Sequence, residues 1–214
     1  DEQIMLRYDF LTRWAVTYQG FSREGSYKGF WLERYPKDSK DYGRTDTVQQ
    51  EGRKYVHATI FKMALFPINA GNYTIYPGEV KIVVNESGIQ TNPKMVRSGP
   101  PIEIHVQDFP SQGKPSSFNG FSGRYEMESQ LQSNKPDDGG FIYLEVTISG
   151  QGNARQIKLP NLNFGPDISV ADVQESFKLN WVQDSVHGEK IFKFKLHPNK
   201  TGLVKIPSVS FSYF

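Results

Sequence analysis

The four histidines are the residues of this sequence best suited to metal binding or to proton transfer near neutral pH. They are His57, His105, His187 and His197. None stands in an H-x-x-x-H or H-x-H pair, and no histidine lies near aspartate or glutamate at metal-ligand spacing. His57 and His105 lie in predicted strands and His197 in a predicted turn, so structural or surface roles are favoured. The sequence therefore predicts no metal site.

Glycines and carboxylates could supply two further kinds of chemistry. Gly150-Gln151-Gly152-Asn153 has the look of a phosphate-binding loop, but a dinucleotide site also needs a third glycine and a following helix. An extended segment, Ile157-Lys158-Leu159-Pro160, follows instead, so we interpret the glycines as a turn between strands. No G-x-S-x-G motif marks a nucleophilic serine, and no pattern supports the paired carboxylates of a glycosidase. We therefore predict a protein that is not an enzyme and has no cofactor.

One segment has the composition of a binding surface. Residues 21–36 mix aromatic side chains with arginine between glycines. Tryptophan, tyrosine and arginine are favoured at interaction hot spots, so Tyr27, Trp31, Arg34 and Tyr35 are candidate partner contacts. The competing interpretation, which we favour, is that large aromatic residues here close the protein core.

Composition excludes several classes of protein. The formal net charge is +2, from 25 basic and 23 acidic residues, and charges alternate in sign between Arg34 and Asp46. That pattern indicates a solvated loop or face, whereas a nucleic-acid binder gathers basic residues on one surface. Cysteine is absent, which excludes disulfides, cysteine nucleophiles and thiolate metal sites. No stretch reaches the ~18–20 apolar residues of a membrane helix, so we expect any export signal or anchor outside these residues.

Hydrophobic residues alternate along most of the chain. Ile142, Leu144, Val146 and Ile148 share one side of an extended segment, with Glu145 and Thr147 on the other side. A period of two is typical of a strand, and the best helical candidate, 172–178, is short. The sequence predicts an all-β protein.

An internal repeat predicts two domains. Residues 61–75 and 192–206 share the pattern F-K-x-x-L-x-P-x-x-x-G-x-x-x-I at a constant spacing of 131 residues. We interpret each copy as a hairpin that ends its first strand at proline and turns at glycine. The alternating segment 209–213, after the second copy, is predicted to be a further strand.

Strand number and turn spacing predict two tandem immunoglobulin-like β-sandwich domains, with a jelly roll as the alternative. A polar segment rich in Ser, Gly and Pro places the boundary near residue 108. The domains are then 1–107 and 108–214. Alignment of the two copies predicts that the first domain lacks its opening strand and the second its closing strand.

Several segments, taken in order, resemble the BatD family of the bacterial Bat aerotolerance operon. Gly29-Phe30-Trp31-Leu32-Glu33 resembles a G-F-W-x-E motif, and residues 1–8 and 55–77 resemble two strand segments of that family. In the second half, Gly120-Phe121-Ser122-Gly123-Arg124-Tyr125 and Gly150-Gln151-Gly152-Asn153, followed by Leu159-Pro160, are similar to two further motifs. Asp1 and Phe121-Ser122 depart from the family pattern. The resemblance extends over nearly the whole chain.

The resemblance implies a membrane-anchored envelope protein whose β-domains lie in the periplasm, or on the extracytoplasmic face of the bacterial membrane. It implies no catalytic residues. The implied partners are the other Bat operon proteins, of the von Willebrand A-type and the tetratricopeptide type, and indirectly a MoxR-type ATPase assembly. We therefore expect a non-catalytic scaffold for protein–protein interaction in the response to oxygen stress. The alternative is a carbohydrate-binding or adhesin-type module with residues 27–35 as its sugar platform.

Overall fold

The computed structural model describes residues 2–37, 44–86, 89–90, 94–97, 99–115, 118, 120, 122–158 and 162–214. Within these ranges the protein is all-β with several antiparallel sheets, and the predicted fold class is confirmed. One short 3-10 helix, Ala154–Gln156, accompanies the strands. No helix among the described residues is long and apolar enough to cross a membrane.

The chain divides into two compact units. The first unit is Ile4–Asp108, and the second is Phe109–Phe214, with which the first three residues are grouped. The domain boundary between residues 107 and 108 remains a prediction from the sequence. The absence of an opening strand from the first domain and of a closing strand from the second also remains a prediction.

The described residues of the first unit contain ten strands in three hydrogen-bonded groups. The strands are β1 Ile4–Thr12, β2 Ala15–Arg23, β3 Phe30–Arg34, β4 Thr45–Gln50, β5 Arg53–Pro67, β6 Gly71–Ile75, β7 Glu79–Glu86, β8 Ile89–Gln90, β9 Lys94–Arg97 and β10 Ile102–Val106. The long β5 pairs with β1 on one side and with β3 and β4 on the other. In a second sheet β7 pairs with β2, β8 and β9, while β6 and β10 form a pair. Phe30, Met63, Leu65 and Ile75 form the buried core.

In the part of the second unit that the structure describes, the strands form one four-stranded sheet. Its strands are β11 Arg124–Leu131, β12 Ile142–Gln151, β13 Ile168–Val182 and β14 Ser185–Pro198, in the order β11-β12-β14-β13. Irregular segments cover the inner face: Leu162, Val204, Ile206, Val209 and Phe211 pack against its core. The prediction of a strand over 209–213 is therefore wrong. The backbone of this segment is irregular, and Ser212 makes only an isolated bridge. Val209 and Phe211 nevertheless pack against the core, as the alternation indicates.

The two copies of the repeat occupy equivalent places in their sheets. Leu65 of β5 lies opposite Ile4 of β1, and Leu196 of β14 lies opposite Ile142 of β12 in the same antiparallel arrangement. The match continues on the other side of the central strand, where Phe30 lies opposite Pro67 and Ile168 lies opposite Pro198. The repeat thus corresponds to a duplicated central strand with matching neighbours.

The predicted hairpin is wrong in both copies. β5 and β6 do not pair with each other, since β6 pairs with β10, and Ile206 lies outside any strand. The physical reason is the two-layer architecture: the chain leaves β5 at Pro67 and enters β6 at Gly71 (φ +147°) in another pair of strands. Gly71 allows this backbone conformation, which a side chain would disfavour. In each copy of the repeat, the chain therefore leaves the sheet after the first strand and does not pair again with that strand.

Some segments singled out in the sequence lie partly outside the described residues. These are the middle of the alternating charge run, 38–43, together with Phe121, Leu159 and Pro160 of the BatD-like motifs.

Candidate functional site

The first unit contains a large cleft between its two sheets, with a volume of about 960 Å³. We call it the inter-sheet cleft. Its walls are formed by inward-facing side chains of β1, β5, β2 and β7, which include Phe10, Val16, Tyr18, Val56, Ala58 and Ile82. Several of these side chains remain in contact with solvent; Val56 is 43% exposed and Trp14, beside the opening, is 62% exposed. A concave, mostly apolar site of this size is typical of ligand binding.

The cleft follows from side-chain size and from one irregularity in β5. At one end of the sandwich, Met63 and Leu65 fill the space between the layers. At the other end the inward positions of β5 and β1 include the smaller Ala58 and Thr12. Between the two ends, Tyr8 pairs with Phe61 and the next residue pairs with Thr59, so Ile60 forms a β-bulge. A bulge bends its strand and increases the local twist, and here it separates the packed end from the open end.

An aromatic cluster forms the floor of the cleft. The ring centroids of Phe21 and Phe61 are 5.2 Å apart at 84°, and those of Tyr8 and Phe21 are 5.2 Å apart at 86°. Edge-to-face contacts of this kind are favourable beyond their buried area. The Tyr8 hydroxyl accepts a hydrogen bond from the Gly78 amide at 3.0 Å and lies 2.8 Å from the Tyr27 hydroxyl. These contacts fix the floor in place.

The rim of the cleft is mainly basic. Among the described lining residues, Arg13, Arg34 and Lys37 are basic and Glu24 alone carries a carboxylate. The Arg34 guanidinium is 3.7 Å from the Glu24 carboxylate, and both side chains are more than half exposed. The described part of the rim therefore carries an excess of positive charge, which favours an anionic group at the entrance.

The four candidate contact residues from the sequence do not share one surface. Trp31 and Arg34, three residues apart on β3, point to opposite faces of the sheet, and both are exposed. Tyr35 is only 7% exposed. Tyr27 is half-buried, and its burial, followed by its hydrogen bond with Tyr8, raises the pKa of its hydroxyl. A sugar would meet one well-exposed ring, Trp31, rather than a platform. Whether these residues contact a partner remains a prediction.

A cluster of polar side chains lies on the outer face of the same sheet. His57 Nδ1 is 2.6 Å from Asp46 Oδ1, and His57 Nε2 is 3.4 Å from Asp9 Oδ1. Asp9 also accepts hydrogen bonds from the Thr59 hydroxyl at 2.8 Å and from Arg7 Nε at 2.7 Å. Together these contacts link β1, β5 and β4.

Electrostatics explain the role of this cluster. The hydrogen bond to Asp46 raises the pKa of His57 despite the opposing effect of burial. Burial would raise the pKa of Asp9, but hydrogen bonds from Thr59 and Arg7 outweigh it and lower that pKa. The Thr59 hydroxyl donates to Asp9 and not to His57, so no nucleophile–base pair is formed. Among the described residues no group of His, Asp or Glu could hold a metal ion.

Replacing His57 by glutamine should destabilise the first unit at acidic pH and have little effect at alkaline pH. Since the folded-state pKa of His57 is raised, its contribution is complete below the unfolded-state value of about 6.5 and is lost as the pH rises through the folded-state value. The expected loss at pH 5.5 is about 0.5 kcal/mol, because the Asp46 side chain is largely exposed. Urea unfolding at pH 5.5 and pH 9 measures it.

The matched control is His105→Gln. His105 Nδ1 is 2.6 Å from the amide oxygen of Asn72, so its replacement removes no ion pair. A His57→Gln effect of equal size at both pH values would contradict the electrostatic role of the cluster.

Gly150-Gln151-Gly152-Asn153 has a structural function. A Cβ atom on Gly150 would overlap the backbone carbonyl oxygen of Arg124, and one on Gly152 would overlap the Tyr125 hydroxyl. The Asn153 side chain accepts a hydrogen bond from the Arg155 amide and caps the 3-10 helix. The glycines therefore allow β11 to approach the end of β12 closely.

Sequence reasoning did not identify the inter-sheet cleft. Alternation predicted correctly that Phe61 faces inward, but the cleft depends on the bulge at Ile60 and on which strands face each other. The available signal was the change from large to small inward residues along β5, from Met63 and Leu65 to Ala58.

Comparison with known proteins gives one match. Residues 129–214 match the family model BatD, described as a BatD DUF11 like domain, and this match supports membership in the BatD family. The resemblance seen in the sequence is thereby confirmed over these residues, while the similar motifs before residue 129 remain a prediction. The family is not a known enzyme class, and its domains are of an extracytoplasmic type. No curated protein and no solved structure matches significantly.

Proposed function

Because the chain carries a BatD domain over residues 129–214, we propose that it is a non-catalytic scaffold of a Bat-type aerotolerance system. In this proposal the protein acts in the periplasm, held at the membrane by an anchor elsewhere in the full-length protein. It binds von Willebrand A-type and tetratricopeptide proteins of the same system, and through them contributes to a MoxR-type ATPase assembly.

One structural observation favours a protein that binds its partner over an enzyme that converts it. The walls of the inter-sheet cleft are mainly apolar, whereas the His57 cluster of acid–base groups lies on the opposite face of the same sheet. Glu24, which carries the carboxylate among the described residues that line the cleft, is close to Arg34. A hydrolase needs its acid and base groups to converge on one bound molecule, and this separation is better suited to binding.

The surface of β3 that carries Trp31 is the proposed protein contact. Trp31 is 42% exposed although it is large and apolar, and it lies opposite Phe66 of β5, which is almost completely buried. Aromatic side chains supported in this way by a rigid strand are typical hot spots. The outer face of β3 is therefore the surface to test first.

Replacing Trp31 by alanine should weaken binding of the partner proteins about 30-fold or more, the effect of losing a hot spot worth ~2 kcal/mol. The measurement is affinity purification of the full-length protein from its own envelope, followed by mass spectrometry and then by titration of the recovered proteins. Wild type should recover von Willebrand A-type or tetratricopeptide proteins.

The matched control is Trp14→Ala, which removes the other strongly exposed tryptophan but lies beside the inter-sheet cleft. It should leave recovery of the partner proteins unchanged. Failure of the wild-type protein to recover any Bat-type protein would contradict the proposed scaffold. Equal recovery with wild type and Trp31→Ala would instead place the contact on another surface.

A further inference from the structure

The inter-sheet cleft offers an apolar volume that the side chains of the described residues do not fill. About 960 Å³ lies between walls of aromatic and aliphatic residues, and the packed core of the unit is at the other end of the sandwich. Sandwich interiors are normally filled by interdigitating side chains from both sheets. An apolar space of this size has a thermodynamic preference for an apolar occupant.

We propose that the inter-sheet cleft binds a long-chain fatty acid, with its acyl chain between the sheets and its carboxylate at the basic rim. This site goes beyond the scaffold function and does not depend on it. Three features support it: the nature of the walls, the thickness of the space, and the charge of the rim.

The walls exclude most peptide occupants. They are the faces of two sheets, so the lining consists of side chains, while strand backbone groups are directed along the sheets. A peptide inserted between them would bury amide groups that the apolar walls cannot satisfy. An acyl chain has no such groups along its length.

The thickness of the space also favours an acyl chain over a helical peptide. Facing sheets pack about 10 Å apart, and a helix with its side chains has a diameter of about 10–12 Å. A helical segment would have to displace the floor formed by Phe21 and Phe61, whose rings are held edge to face. A flexible acyl chain can lie along the floor without moving it.

The charge of the rim favours an anionic head group. In the part of the rim that the structure describes, Arg13, Arg34 and Lys37 outnumber the carboxylate of Glu24. Since Arg34 is already close to Glu24, the charges of Arg13 and Lys37 are the main attraction for an incoming anion. A carboxylate there keeps its contact with water and avoids the cost of burial.

The test uses the 214-residue chain and three single-chain probes below their micelle concentrations: palmitate, laurate and hexadecylamine. Binding is measured by calorimetry and by the fluorescence of Trp14, with Trp14→Phe identifying the signal of that residue. We expect palmitate to bind with a stoichiometry of one, and hexadecylamine to bind at least tenfold more weakly. Laurate should bind far more weakly than palmitate, since each methylene contributes about fourfold.

Two variants locate the site. Ala58→Trp fills the space beside Phe10 and should abolish palmitate binding, whereas Leu11→Ala, on the outer face of β1, should leave it unchanged. The double variant Arg13→Glu, Lys37→Glu changes exposed side chains only, so it stays informative if Ala58→Trp does not fold. It should reverse the preference between palmitate and hexadecylamine.

Three results would overturn the proposal. The first is absence of palmitate binding to the wild-type chain. The second is binding that neither Ala58→Trp nor the charge-reversed variant alters, because the site would then lie elsewhere. If an apolar partner peptide cross-links to the cleft and palmitate does not compete with it, the cleft is a protein-binding site and the fatty-acid proposal is wrong.

Discussion

Replacing Phe192 by alanine should lower the free energy of unfolding of the second unit by about 3–5 kcal/mol. Phe192 is completely buried on β14, in the core that also contains Val146 and Phe194. Truncation removes the transfer free energy of the ring and leaves a cavity that the surrounding sheet cannot close. Urea unfolding combined with amide hydrogen exchange of β12 and β14 measures the loss and assigns it to this unit.

The repeat supplies a matched control for that experiment. Phe61 is the residue of the first unit that corresponds to Phe192, but it is only partly buried and borders the inter-sheet cleft. Phe61→Ala should cost about 1–2 kcal/mol, since part of its ring already faces open space. Equal losses at the two positions would show that the interior of the first unit is as tightly packed as that of the second, and that the cleft is not open in solution.

Replacing Gly150 by alanine should destabilise the second unit by about 3 kcal/mol. The added Cβ atom would overlap the carbonyl oxygen of Arg124 in the neighbouring strand. Because that oxygen belongs to the backbone, β11 would have to move away from β12, and pairing between Arg124 and Gln151 would be weakened. Amide exchange along β11 should accelerate more than exchange along β13.

Gly165→Ala is the control for the intrinsic cost of adding a side chain. Gly165 has φ +67°, a left-handed conformation, but nothing lies within 4 Å of the position that its Cβ atom would take. Its replacement should cost about 1 kcal/mol through backbone strain alone. The difference between the two variants then isolates the close approach of β11 to β12. Similar losses for both would contradict that interpretation.

The face that each strand buries could be predicted from the sequence. Ile142, Leu144, Val146 and Ile148 alternate with polar residues, and all four are buried. This succeeds because side-chain direction in a strand depends only on local backbone geometry. The spacing of the repeat likewise predicted that one segment recurs in both units, and its first strand does recur, as β5 and β14.

The partner of each strand could not be predicted in the same way. β6 follows β5 after three residues, yet it pairs with β10, whose first residue is Ile102. Proline and glycine indicate where a strand ends but not whether the chain returns to the same sheet. The hairpin interpretation failed for this reason. The exposure of Trp31 beside the burial of Tyr35 depends on the same non-local arrangement.

The bulge at Ile60 has a consequence for how this protein can evolve. Tyr8 and Asp9 are consecutive on β1, while their partners Phe61 and Thr59 are separated by Ile60. Loss of the Ile60 codon would therefore preserve every other pairing and leave each side chain on its present face, since alternation would continue unbroken from Phe61 to Thr59. The bend of the strand would change, and the Ile60 side chain would be lost from the lining of the cleft. A lineage could therefore change the shape of this space by losing one residue, while the register of β1 and β5 stays intact.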